Sequence, residues 1–322
     1  MTTTSSTRRT QYSVANQFPV WIALLVGIVM VVSACSPKRA AVNLIGDTLA
    51  EGGNVYASEP DPELVIEAIP FGLKTMEGLL ETSPQHRGLL LALAKGFAGY
   101  AFLLQDRAEP IEARDLQAAR ALRARARDLY LRGRDYALRS LAAAHPTILA
   151  AIDEDPEAAL SVMTKEDVPF LYWAGAAWAG AISLGKDDLD LVIALPTAGA
   201  LVGRVLDLDP AYGDGAADEF FIAYESGRPG GDLEAARAHY ARALAFSDGK
   251  RASVYLALAE NVEVPAQDLE AFRALLETAL AIDPNEVPSL RLVNVLAQRR
   301  AKWLKAHIPD LFLMADFPEA SS

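Results

Sequence analysis

Apolar positions recur at intervals of three and four along nearly the whole chain. Within residues 63–81 they fall at Val65, Ile66, Ile69, Leu73, Met76, Leu79 and Leu80, the single face of an amphipathic helix, with Pro70 interrupting its start. Thr82-Ser83-Pro84 breaks that pattern. Residues 87–104 then run almost entirely apolar, with Gly and Ala among large side chains, the composition of a helix enclosed by others. An earlier helical pattern begins near Val42 and stops at Gly52-Gly53. Across residues 113–144, Leu122, Ala126, Leu129, Tyr130, Tyr136, Ala137 and Leu141 keep the helical interval between arginines running from Arg114 to Arg139. Asp115, Asp128 and Asp135 supply local ion pairs, so this reads as a solvated face.

Residues 151–167 are acidic and read as a loop or insertion. Residues 168–185 carry no charge. By length they are a marginal membrane span, but their Ala and Gly content and charged flanks predict a buried helix packing through small residues. Further helices are expected over 189–208, interrupted or kinked at Pro196, and over 213–224, 233–246 with Asp232 as N-cap, 253–261, 267–282 and 287–307. No stretch alternates as a strand would. The expected fold class is all-α.

A short period underlies these helices. Phe272-x3-Leu276-x2-Ala279-x4-Pro284 matches the second helix of a tetratricopeptide repeat, and frames ending near Pro84, Pro146 and Pro210 and at Ala243 share its spacing. An array of cryptic TPR-like helical hairpins is therefore expected, with a continuous core and a concave surface.

Ahead of the helices, Arg8-Arg9 precede an apolar run from Phe18 that ends in Val32-Ser33-Ala34-Cys35. A basic region, a short apolar region and small residues make an export signal. The last four residues resemble a bacterial lipobox, whose Cys becomes the lipidated first residue. The competing reading is an uncleaved membrane helix at the lower limit of length. The expected organisation is a signal peptide over 1–34, a lipidated tether over 35–43 starting at Cys35, a TPR-like helical domain over 44–310 and a tail over 311–322. Ser36 lacks the acid that would favour inner-membrane retention, so the expected address is the periplasm-facing side of the outer membrane.

The formal net charge is −12, and loss of Arg8 and Arg9 with the signal makes it two units more negative. So acidic a protein is a poor partner for nucleic acid or an anionic bilayer. With Cys35 lipidated no thiol remains for a disulfide or a Cys-based metal site.

The ordered series Leu129-Tyr130-x-Arg132-Gly133-x-Asp135-Tyr136-Ala137-Leu138, Pro169-x-Leu171-Tyr172-Trp173 with Trp178, Lys186-Asp187-Asp188, Asp207-x2-Pro210-x-Tyr212-x2-Gly215-Ala216 and Gly230-Gly231-Asp232, together with the lipobox, resembles the T-component lipoproteins of TRAP (tripartite ATP-independent periplasmic) transporters, often called TatT. The resemblance implies a helical-repeat envelope lipoprotein that pairs with a periplasmic TRAP solute-binding protein. It also implies a homo-oligomer, with a trimer as one form, and an internal cleft through which ligand passes.

Catalytic constellations are missing from the sequence. His86, His145, His239 and His307 form no H-E-x-x-H pair, there is no P-loop, and the aspartates at 187–190 and 207–209 lack an EF-hand spacing. No enzyme activity, cofactor or metal is expected. Tyr172, Trp173, Trp178 and Phe221 are the candidate ligand-cleft residues; packing of the core is the plainer use for such rings. A ligand-free scaffold lipoprotein serving envelope assembly is the alternative function.

Overall fold

The computed structural model describes Asn43, Ile45 and residues 54–313. The signal segment, Cys35, most of the tether and of the helix expected from Val42, and the tail beyond Leu313 lie outside the described residues. Among those described, every regular element is helical. The helices are α1 (Asn54–Ala57), α2 (Pro62–Thr82), α3 (Arg87–Glu112), α4 (Leu116–Ala144), α5 (Ile148–Glu154), α6 (Pro156–Leu160), α7 (Val168–Leu184) and α8 (Leu189–Val192). They continue as α9 (Leu195–Leu208), α10 (Ala216–Gly227), α11 (Leu233–Phe246), α12 (Ala252–Leu258), α13 (Val264–Ala266), α14 (Leu269–Ala281), α15 (Arg291–Ala306) and α16 (Ile308–Leu311). A π turn, Ala259–Glu263, joins α12 to α13.

Aspartates begin many of them. Asp61, Asp115, Asp188, Asp232 and Asp268 each accept a backbone N–H of the first turn of α2, α4, α8, α11 and α14, which satisfies donors the helix cannot pair itself. The same chemistry corrects the reading of residues 151–167 as a loop. Asp155 ends α5 and caps α6, the Ala158 N–H donating to its carboxylate at 3.1 Å, with Pro156 in the first turn. Pro70 does not interrupt α2, which runs through it; Ile66, Ile69 and Leu73 are buried around that point and hold the turn together against one missing hydrogen bond. The expected helix over 189–208 is broken at Ile193-Ala194, and Pro196 falls in the first turn of α9, where its absent N–H costs nothing.

The helix α3 is long and apolar enough to cross a membrane, as is the stretch Leu189–Leu208. It is instead flanked by α2, α4 and α7, with Leu89, Leu90 and Leu93 fully buried. Each such side chain contributes about 2 kcal/mol. The uncharged helix α7 packs on α3, α4 and α9, as its small residues predict. The repeat frame marks the buried face on three helices, where Phe272, Leu276 and Ala279 on α14, Ala236 and Ala243 on α11, and Ala198, Val202 and Val205 on α9 are at most 1% exposed. On α2 it misses by one residue, since Gly72, Met76 and Leu79 are half-buried and their neighbours Leu73 and Leu80 are the buried ones.

The packing of helices forms a closed circuit. Helix α2 lies on α3, α3 on α4 and α7, α7 on α9, α9 on α10, α10 on α11 and α12, and α12 on α14 and α15. Helix α15 then returns to α1 and α2. The return is also visible in the core, where Leu296 of α15 joins the cluster built by Val65, Ile66, Leu89 and Leu93. Arg291 donates to the Ser58 carbonyl at 2.9 Å across the same seam.

Candidate functional site

Where the circuit closes, α3, α12 and α15 do not meet flush, and a cleft of about 340 Å³ opens between them. This lies at the small end of ordinary ligand pockets. Phe102 from α3, Leu256 from α12 and Leu296 from α15 give it apolar walls. Asp106 and Glu109 enter from α3, Glu260 from the π turn, Arg300 from α15 and Arg123 from α4. The π turn is a local widening of the helix, a device often found at functional sites. It is pinned by buried Glu263, which takes two hydrogen bonds from the Arg237 guanidinium, at 2.5 and 3.0 Å.

The charges in the cleft are largely occupied with one another. Arg300 bridges Glu109 and Glu260, its Nε donating to Glu260 at 3.0 Å. Arg299 reaches Glu63 at 3.4 Å and Asp106 at 3.5 Å. Burial raises the Asp106 carboxyl above its usual range, opposed by Arg299 and reinforced by Glu109. Burial works against the charge of Arg300, but Glu260 and Glu109 outweigh it and hold the guanidinium more firmly protonated. The Ser253 hydroxyl, also on the lining, is buried without a hydrogen-bond partner.

The four aromatic residues singled out from sequence lie in other parts of the circuit, and none is on the lining of this cleft. Tyr172 and Trp173 come together on α7, edge to face at 5.3 Å, and Tyr172 also meets Tyr212 at 5.4 Å. Burial, with the nearby Glu219 charge, pushes the Tyr172 phenol far up. Burial likewise pushes Tyr212 up to about 12, opposed by the Trp173 indole beside it. Trp178 lies under the Arg134 guanidinium at 4.7 Å, its indole N–H buried and unpartnered. Phe221, on α10, packs edge-on to Phe220 and Tyr224 and stacks on His239 at 4.9 Å. All four nevertheless border one buried cluster, with Phe221 a member of it and Tyr172, Trp173 and Trp178 packed against it; Trp173 and Trp178 also touch the cluster built by α2 and α3.

The remaining polar clusters hold elements together. Asp167 accepts from Arg87 at 3.1 Å and pairs with His145 at 3.0 Å, tying α3 and α4 to the start of α7. Fully buried Asp218 takes Arg242 at 2.8 Å and His239 at 2.7 Å, fastening α10 to α11. His86 caps α3, and His307 stacks on Trp303 at 4.0 Å. The arginines of α4 turn inward more than a solvated face requires. Arg132 pairs with Glu77 and lies over Phe97, Arg139 donates to the Pro84 carbonyl at 2.6 Å, and Arg125 lies over Tyr100. Among the described residues no group of His, Cys, Asp and Glu could hold a metal ion.

Reading the sequence for aromatic rings missed the cleft residues. A signal for them was present, because Phe102, Asp106 and Glu109 recur at four and three along one stripe of α3. Acids that continue the stripe of an apolar residue just past the apolar segment mark a wall that is not packed.

The family model described as TRAP transporter T-component matches residues 58–312, which is nearly all of the described structure. A protein of Treponema pallidum (strain Nichols), described as an uncharacterized protein, is 32% identical over 303 residues, covering 87% of this chain and 94% of its own. The family match runs from before α2 to the end of α16 and includes every residue that lines the cleft. The chain therefore belongs to the TRAP transporter T-component family.

Proposed function

We propose that this protein is a periplasm-facing lipoprotein accessory component of a TRAP-type transporter. It binds the solute-binding subunit and passes an apolar or amphipathic organic-anion ligand through the cleft between α3, α12 and α15. Family membership supports the first part, since it ties the chain to TRAP transport in the bacterial cell envelope. The observation that carries the second is the cleft itself, a mostly apolar-walled space within the family-matched region. In this reading Cys35 bears the lipid anchor, the protein assembles as a homo-oligomer, and Tyr172, Trp173, Trp178 and Phe221 are candidate walls of the ligand's path beyond the cleft. The chemistry is transfer and docking rather than catalysis.

The paired state of Arg300, Glu109 and Glu260 favours a second reading, a ligand-free scaffold, because a charge already satisfied offers little to a ligand. Crosslinked affinity capture of the tagged full-length protein from its native envelope, with mass spectrometry of the partners, separates the two. Stoichiometric recovery of a periplasmic solute-binding protein is expected. Recovery of outer-membrane assembly factors alone would leave the scaffold standing.

A further inference from the structure

We infer that Lys95 is the residue by which the cleft recognises its ligand's charge, and that the ligand is an amphipathic monoanion whose carboxylate lies roughly 10 Å from the middle of its apolar body. This rests on the reading that the cleft takes a ligand. Lys95, Gly99, Phe102, Asp106 and Glu109 follow one another at four, three, four and three, so all five lie on one stripe of α3. Three of them line the cleft. Lys95 therefore faces the same way, about 10 Å from Phe102 toward the start of the helix, at 1.5 Å rise per residue. Between them is Gly99, and nothing lies within 4 Å of where a Cβ on it would stand. The path from Phe102 to Lys95 is open at that point.

Lys95 differs from the other cations of this region. Arg123, Arg299 and Arg300 are each held by carboxylates. Lys95 is exposed and makes no ion pair or hydrogen bond among the described residues. Yet desolvation lowers its ammonium below the usual lysine value. Its place on the stripe of Phe102, with open space at Gly99 between the two, sets the ammonium on the face of α3 that the cleft shares. A cation so placed gains from an anion that replaces its missing hydration.

The distribution of charge also orients the ligand. At the far end of the stripe the arginines are already paired with Asp106, Glu109 and Glu260, so that end offers a carboxylate no unpaired cation. Phe102, Leu256 and Leu296 accept an apolar body. An anionic head is thus directed toward Lys95, with its chain lying along α3 past Gly99.

The test is equilibrium dialysis of radiolabelled decanoate and of 1-decanol against the full-length protein in lipid nanodiscs, with empty nanodiscs as blank. Wild type is expected to prefer decanoate by at least about tenfold, the order of one charge-assisted contact. Lys95→Met is expected to lose that preference while still taking 1-decanol, which also reports that the variant is folded. Lys95→Arg keeps it, and Phe102→Trp, which fills the cleft, weakens both compounds. Equal binding of the two by wild type, or an unchanged preference in Lys95→Met, overturns the role of Lys95 while the cleft reading survives through the Phe102→Trp effect. Failure of wild type to bind either compound overturns the cleft reading and Lys95 with it.

Discussion

Where α7 crosses α9, a Cβ added to Gly175 would stand 2.7 Å from the Ala198 carbonyl oxygen and 2.6 Å from a Val202 methyl. The carbonyl is helix backbone and cannot step aside, so Gly175→Ala must push two packed helices apart. A loss of about 1–3 kcal/mol is expected, read as a lower urea midpoint with an unchanged slope. Asp167 makes a pH-dependent contribution. Burial raises its carboxyl, but hydrogen bonds from Arg87, His145 and the Thr164 N–H outweigh that and hold it below 3.8. A carboxyl depressed in the fold stabilises it above the unfolded pKa, and the benefit fades as pH falls through the folded value. Asp167→Asn should therefore cost about 2 kcal/mol near neutrality, where a buried charged hydrogen-bond network is broken. The gap between the two urea curves should close below about pH 4; a gap undiminished at the lowest pH that leaves wild type folded would refute this account. At this scale the sequence was partly legible. That α7 packs through small residues could be read from its Ala and Gly content, but which glycine meets a backbone could not, because that depends on where a partner distant in sequence crosses.

Among the elements, α15 has the most to hold. It packs on α12 and α14 behind it and reaches α1 and α2 ahead of it, and Arg299 and Arg300 extend that reach to Glu63, Asp106 and Glu109. Replacing Arg300 with Met keeps much of its apolar bulk but leaves Glu109 and Glu260 facing each other beside Asp106. Like charges in a partly desolvated space should loosen the seam by about 2 kcal/mol. Hydrogen exchange is expected to speed up in α15 and in the second half of α3, with α7 and α9 unaffected. Uniform acceleration across the chain would mean a global loss instead. Helix positions were legible where apolar periodicity met a breaker, as at Pro84 and Asp209-Pro210. They were misread where the same residue both ends one helix and starts the next. Asp155 does this, and an acidic stretch that looks like a loop is in fact two short helices joined at that cap. Pro70 misled in the other direction, since packing on both sides of it outweighs one absent hydrogen bond.

For the whole molecule the decisive fact is the return of α15 to α1 and α2. All-α architecture was evident from the lack of strand alternation, and the buried faces of α9, α11 and α14 from the repeat frame. The closure was not, because an open array and a closed one need the same local periodicity; the difference lies in contacts more than two hundred residues apart, such as Arg291 to Ser58. The cleft at the seam was hidden for the same reason. An open helical array unfolds in stages from its ends, because each unit touches only its neighbours. Here the first and last units hold each other, so a single unfolding transition is expected, with circular dichroism and tryptophan fluorescence changing together. Separate midpoints for the two probes would show that the halves act independently.

The same closure governs how the protein bears a load. Tension arriving through the chain ahead of α1 cannot peel one helix off at a time, as it could from the end of a linear stack. It enters a hoop at its fastening. The pull is divided between α2 and α15 and resisted in shear by the packed Leu296 and by the arginine clasps on either side of it. A protein held by one end at a membrane surface would in this way stay whole while a partner tugs at its far side.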